Sequence, residues 1–398
     1  MTDTCDILIS GGGIAGMTAA AAFGTAGFKV ICVDPTPPVT NGAAEGADLR
    51  STAMLQPARA LLERAGLWED LAPHAAPLQI MRIIDAGGDE PEPRVTREFD
   101  ASEISDQPFG WNFPNWLLRR EMLDRMGTLD TVDFRTGVST TRLFTRMGGA
   151  KVSLSDGSRI EAKLVIAADG RGSAMRAAAG ISVRTHRYGQ KALVFAATHS
   201  IPHENVSTEV HRTGGPFTLV PLPDHNGKPC SAVVWMDDGR LAQERMDMDV
   251  ATFEAEASKR SCNHFGPLTL ISRCQAWPII SQHADRLSSE RVALIAEAAH
   301  VMPPIGAQGL NMSLNDIATL LDLANARPDG LGDAEMLDTY HKARYRDITL
   351  RVHGIDLLNR ASQAKSGIAR DARAAGLSAL YGSAGVRKML MQMGLGMR

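Results

Sequence analysis

The rhythm of apolar and polar residues marks out elements along this chain. CDILISGGGIAGMTAAAAFGTAGFKVICVD, residues 5–34, opens with a short β-rich run at 6–9 and passes through a glycine turn into an alanine-rich helix. It ends in an apolar run over 29–33 that reads as a second strand, closed by Asp34. Strand followed by turn and helix returns twice downstream. AKLVIAADGRGSAMRAAAG, 162–180, is a strand, Asp169-Gly170, and a helix start at Ser173. LIAEAAHVMPPIGAQGLNMSLND, 294–316, opens like a buried strand and ends like a helix, with Pro303, Pro304, Gly306 and Gly309 between. Residues 183–284 carry the apolar runs GGPFTLVPLP, AVVWM and AWPI, which predict strands of an antiparallel sheet. These runs lack a clear alternation, so the pattern does not say which face each side chain takes. From 331 onward Leu, Met and Ile recur at helical spacing.

Composition narrows the class. The 398 residues suffice for two domains, or one large domain with an insertion, and 44% hydrophobic with 22% charged residues is ordinary for a folded α/β protein. A net charge of −3 offers no general basic surface for nucleic acid. Five scattered cysteines show neither paired spacing nor a Cys/His ligand set, which argues for reduced thiols and against a metal site. The start, MTDTCDILIS, has no basic region of the kind a signal peptide needs, and no apolar run is long enough to span a bilayer. A cytoplasmic location is expected. Charge is uneven, however: residues 341–398 hold eleven Lys/Arg against three Asp/Glu. That excess reads either as a solvated helical face or as a surface for anionic lipid or an acidic partner, at the inner face of a membrane. The acidic stretch DAGGDEPEPR, 85–94, is expected as an exposed loop.

The first motif carries the clearest chemistry. Gly11, Gly13 and Gly16 form GxGxxG between a strand and a helix, and Asp34 follows Gly11 by 23 residues. In that setting the glycines permit a tight turn, close approach of a pyrophosphate and helix–sheet contact. The helix beginning at Ile14-Ala15 offers unpaired N–H groups to phosphate, and Asp34 stands where an acid binds a ribose hydroxyl. A front unit with two distant returns to one site implies a large cofactor, FAD, with the 294–316 stretch at its flavin end.

With these motifs in order, the chain resembles the single-component FAD-dependent aromatic monooxygenases, and among them the ubiquinone-biosynthesis hydroxylase family. DLR at 48–50, Asp169-Gly170 and the pattern AAHxxxPxxxxQGxN at 298–311 carry the likeness over nearly the whole chain. The resemblance implies an α/β fold: a Rossmann-like FAD-binding domain of the glutathione-reductase type, interrupted by an antiparallel-sheet substrate domain and followed by C-terminal helices. Residues 1–75, 100–182 and 285–330 are assigned to the FAD domain, 76–99 and 183–284 to the substrate domain, and 331–398 to the helical region.

It also implies roles. Arg50 contacts cofactor phosphate; Arg120 lies near the ADP–flavin junction, with Arg119 as its rival; Asp169 lies between cofactor and nicotinamide passage. Glu297 binds the ribityl hydroxyls, and Pro303 and Pro304 form a wall beside the flavin ring. Gly306, Ala307, Gln308, Gly309, Leu310 and Asn311 put backbone N–H groups against the edge where reduced flavin carries negative charge. His300 is read as structural. The family shows Gly-Asp where this chain has Ala296-Glu297, and Gly-Gln-Gly where it has Ala307-Gln308-Gly309; the Ala296 methyl is expected to narrow the approach to the cofactor, and the extra methylene of Glu297 to push its carboxylate outward. Phe217, Leu219 and Trp235 are the candidates to touch substrate, and no catalytic base is required. The implied reaction is NAD(P)H-driven transfer of an oxygen atom from O2, through a flavin C4a-hydroperoxide, to the ring of a polyprenylated phenol. A hydroxylase of a soluble aromatic, or a non-catalytic scaffold in a quinone-biosynthesis complex, are the other readings.

Overall fold

The computed structural model describes residues 2–87, 92–363 and 366–396; the acidic stretch 85–94 lies partly outside them. Its first sheet explains how motifs so far apart in sequence reach one place. Strands Val292–Leu294, Arg159–Ala167, Thr2–Ser10, Val30–Asp34 and Val132–Thr136 lie side by side in that order, all parallel. Helices and loops cover both faces, so Ile7, Leu8 and Ile9 are fully buried, as an unbroken apolar run requires. Ser10 pairs with Ala167 and Ala167 with Leu294. The three motif turns therefore leave adjacent strands at the same, carboxyl end of the sheet, where open α/β sheets form their ligand crevice.

A second, mixed sheet holds the strands Gln275–Ala284, Val183–Thr198, Lys228–Asp238, Pro216–His225, Val206–His211, Ile80–Asp85 and Val95–Asp100 in that spatial order. The neighbours pair antiparallel except for Val206–His211 against Ile80–Asp85. One face is covered by helices Gly239–Met246 and Val250–Arg260 and forms its own apolar core, which includes Phe195, Phe253 and Ala257.

This core corrects one expectation. Phe217, Leu219 and Trp235 all lie in it, at most 1% exposed, with the Phe217 and Trp235 rings edge to face at 5.5 Å. They fill the space beneath the two helices, on the side of the sheet away from the cofactor strands. The opposite face carries Ala192, Val194 and Met236, which share the core of the first sheet, and half-buried Thr218, Val220 and Val234. The period of two along a strand puts neighbours on opposite faces, so a one-residue difference decides which side of the sheet a side chain takes.

After the second sheet the chain returns through Val292–Leu294 and forms four long helices, Gln308–Ala326, Ala334–Ser362, Gly367–Gly382 and Ala384–Leu395. None of the described helices is long and apolar enough to cross a membrane. The helix Gly367–Gly382 buries none of its residues and is pinned to the edge of the second sheet by polar contacts. Arg373 pairs with buried Asp85 at 2.7 Å, and Asp371 with Arg94 at 2.7 Å. Beyond it, Arg387 pairs with Glu103 at 2.7 Å.

Candidate active site

The glycine turn is built by two close approaches and one open space. A Cβ on Gly11, whose φ is +107°, would sit 2.3 Å from the Ala168 carbonyl oxygen, so the first turn packs directly on the second motif. A Cβ on Gly16 would meet the Gly11 carbonyl, which locks helix Ile14–Thr25 against the turn. Gly13 caps that helix without a side chain and has nothing within 4 Å of where its Cβ would be. That open side adjoins unpaired N–H groups at a helix start, as phosphate binding requires. Ile14 and Ala15 are buried in the first turn of this helix. Asp34 accepts from Gly12 N at 2.7 Å and from the Thr36 amide and hydroxyl at 2.9 and 3.0 Å. Of its roughly four lone-pair positions, about one remains for a ribose hydroxyl.

Asp169 is tied locally. It accepts from the Ser173 hydroxyl and from Met175 N at 3.1 Å, holding the turn ahead of helix Ala174–Ala178. Arg176 in that helix donates to Ala298 O at 2.8 Å and to Arg171 O at 2.9 Å, bolting the second motif to the third. Arg171 in turn approaches Glu297 at 3.6 Å. The Glu297 side chain is 45% exposed.

Both departures from the family pattern fall on left-handed backbone: Ala296 and Ala307 each have φ of +55°. Glycine takes this region freely, whereas a Cβ there costs about 1–2 kcal/mol. Ala307 caps helix Gln308–Ala326, again with no side-chain cap, so its first N–H groups are left for a ligand. Asn311 donates to Ala53 O at 2.7 Å and accepts from Leu55 N at 2.8 Å, holding strand Ser51–Leu55. Gln308 is engaged at both ends: it donates to Gly394 O at 2.9 Å and accepts from Arg351 at 2.6 Å. Pro303 is buried, Pro304 and Gly306 exposed, and Leu310 half-buried against the core. His300 is fully enclosed, paired with Asp316 at 2.8 Å, which also receives Arg344 at 2.8 Å.

Arg50 lies in a cluster the sequence showed only in part. Its guanidinium grips Asp48 through two bonds of 2.8 and 2.7 Å and stacks 4.3 Å above Trp277. Asn115 adds a third donor to Asp48 at 2.9 Å. Burial raises the Asp48 carboxyl, but Arg50 and Asn115 outweigh it and hold the group below the usual carboxylate range. Of the two candidate arginines, Arg119 is the one beside this cluster, 3.9 Å from Asp48. Arg120 is instead held by its neighbour Glu121 at 2.6 Å and leans over Trp116. DLR displayed the Asp48–Arg50 pair in the sequence; Asn115 and Trp277 carried no signal there.

A model of the FAD binding domain family matches residues 4–352. Ubiquinone hydroxylase UbiL of Rhodospirillum rubrum is 31% identical over 394 residues, 98% of this chain and 89% of that protein. The chain belongs to the FAD-dependent aromatic monooxygenases, in the ubiquinone hydroxylase family. This monooxygenase is also 28% identical to 3-demethoxyubiquinol 3-hydroxylase of Escherichia coli, over 88% of each chain. Among solved structures, p-nitrophenol 4-monooxygenase PnpA from Pseudomonas putida shares the fold, with a TM-score of 0.80 at 18% identity, over 100% of this chain and 99% of that one.

The monooxygenase's own residues fit FAD. Two helix starts without side-chain caps, at Gly13 and Ala307, open from the motif turns. Arg119 Nε and Trp277 Nε1 are buried without partners beside the Asp48–Arg50 cluster. Buried donors left open in this way are what a polar cofactor satisfies.

Proposed function

We propose that this monooxygenase hydroxylates the aromatic ring of a polyprenylated ubiquinone precursor, using NAD(P)H and O2. The observation that carries the reading is the 31% identity to a ubiquinone hydroxylase across 98% of the chain. The substrate wall agrees in character: Thr218, Val220 and Val234 present a half-buried, largely apolar surface on the cofactor side of the second sheet. The cofactor supplies the redox chemistry; the chain supplies position and a water-poor wall. Arg50, with Arg119, meets the pyrophosphate, Glu297 the ribityl chain, and the start of helix Gln308–Ala326 the electron-rich edge of the ring system.

An apolar tail is delivered from a bilayer, and the C-terminal helices carry the means to meet one. Leu350, Leu357, Ile368, Leu380, Met389 and Met393 are all at least half exposed on helices that also hold the local basic excess. We assign this face to contact with anionic lipid. Purified holoenzyme supplied with a polyprenylphenol and NAD(P)H is expected to yield a product one oxygen atom heavier by mass spectrometry. NAD(P)H oxidation stimulated only by small soluble phenols would overturn the substrate assignment. Equal flotation with neutral and anionic vesicles would overturn the lipid assignment.

A further inference from the structure

The cofactor-side face of the second sheet carries one ionisable pair that the site described so far does not use. Glu209 lies on strand Val206–His211, directly across from Thr218, which faces Val234, which faces Val194. Cross-strand partners share a face, so Glu209 stands on the substrate wall. His211, two residues on, shares that face.

Both side chains are largely enclosed, 8% and 14% exposed, and His211 Nε2 meets Glu209 Oε1 at 2.6 Å. An ionised carboxylate only accepts, so the proton of this bond belongs to Nε2. Glu209 Oε2 has no partner among the described residues.

Other buried acids of this chain are held by arginine. Asp85 has Arg94 and Arg373, Asp237 has Arg245, and Asp316 has Arg344. Among the described residues, Glu209 has only a histidine. A buried charge without a cation is costly, and it stands on the wall that meets the substrate. Two charged groups near it on the same face are engaged elsewhere. Asp85, beside His211 in the next strand, is taken up by its arginines, and Arg97 donates to Ser378 and leans over Tyr381.

We propose that Glu209 Oε2 is the acceptor for the phenolic O–H of the substrate, with His211 as the positioning residue that aims it. This rests on the phenol-hydroxylating function above. As the ring carbon takes its oxygen, the phenolic O–H bond breaks. The proton passes to Glu209, and the electron pair becomes the carbonyl bond of a dienone. Loss of the ring C–H proton restores aromaticity, and Glu209 returns its proton to the phenolic oxygen. The O–O bond of O2 breaks: one oxygen atom enters the ring, and the two electrons of NAD(P)H reduce the other to water.

Binding and turnover test this separately. Holoenzyme should bind 2-geranylphenol at least about 10-fold more tightly than its methyl ether, read from perturbation of the flavin spectrum. Glu209→Gln should lose that preference while keeping its FAD. In turnover, Glu209→Gln should lower kcat about 100-fold, and ring-fluorinated, more acidic geranylphenols should recover most of the loss. His211→Gln should show a smaller loss with the same recovery and serves if the first variant does not fold. A wild-type enzyme without the phenol preference overturns the proposal. So does a Glu209→Gln deficit equal for all phenols. A wild-type enzyme that prefers the phenol yet hydroxylates none overturns the proposed function and leaves the acceptor assignment standing.

Discussion

Asn311 and Leu55 are joined by a 2.8 Å hydrogen bond across 256 residues of sequence, and the same amide donates to Ala53 O at 2.7 Å. The helix start in the third motif thus depends on the strand that follows Arg50. Asn311→Ala strands a buried N–H and a buried carbonyl, each costing about 1–3 kcal/mol. The variant is expected to lose about 2–4 kcal/mol in urea unfolding and to purify with less FAD, read from its visible absorbance.

Asp48 ties folding to pH. Its carboxyl, raised by burial but lowered further by Arg50 and Asn115, ionises more readily folded than unfolded. The stability it adds is fully present above the unfolded value near 4 and is lost as pH falls through the folded value. Asp48→Asn is therefore expected to flatten the fall in stability below about pH 4. Urea midpoints between pH 3 and pH 7 for both proteins, at matched salt, would show it; parallel curves would exclude Asp48 as the source.

Ala296 and Ala307 hold left-handed backbone that glycine adopts without strain. Relief of about 1–2 kcal/mol, less about 0.4–1 for the greater freedom of glycine in the unfolded chain, leaves a net gain. Ala296→Gly and Ala307→Gly should each stabilise the apoprotein by about 0.5–1 kcal/mol, and the two should add if no shared contact couples them.

The buried trio His300–Asp316–Arg344 has the opposite sensitivity. Removing the acid leaves the guanidinium enclosed without its main partner. Asp316→Ala should cost about 3–5 kcal/mol, and an Arg344→Met, Asp316→Leu double variant should recover part of it. Thermal unfolding of the three proteins decides the point.

Much of this site was legible because its signals are local. Gly11, Gly13 and Gly16 declared a turn by their spacing, and Pro303 through Gly309 declared a rigid loop ahead of a helix. The face of the second sheet was not legible. Thr218 and Val220 are as compatible with a strand as Phe217 and Leu219, and the largest side chains drew attention first. Only the helices Gly239–Met246 and Val250–Arg260, packed on one side, decide that the aromatic residues face away from the cofactor. Arg119 and Arg120 pose the same difficulty on a helix: adjacent residues point about 100° apart, and the register depends on what the helix Asn115–Gly127 packs against. Glu209 and His211 carried no motif at all.

The register that sets Ala167 beside Leu294 has a bearing on how such enzymes diversify. Past the second motif, whose helix ends at Ala178, the chain leaves the first sheet for the second and returns to the strand beside the one it left, which is the geometry of a tolerated insertion. The intervening sheet can be lengthened, trimmed or exchanged between relatives while the parallel strands keep their pairing. Chimeras cut after helix Ala174–Ala178 and before Val292 would carry a new second sheet onto a first sheet that keeps its motif turns.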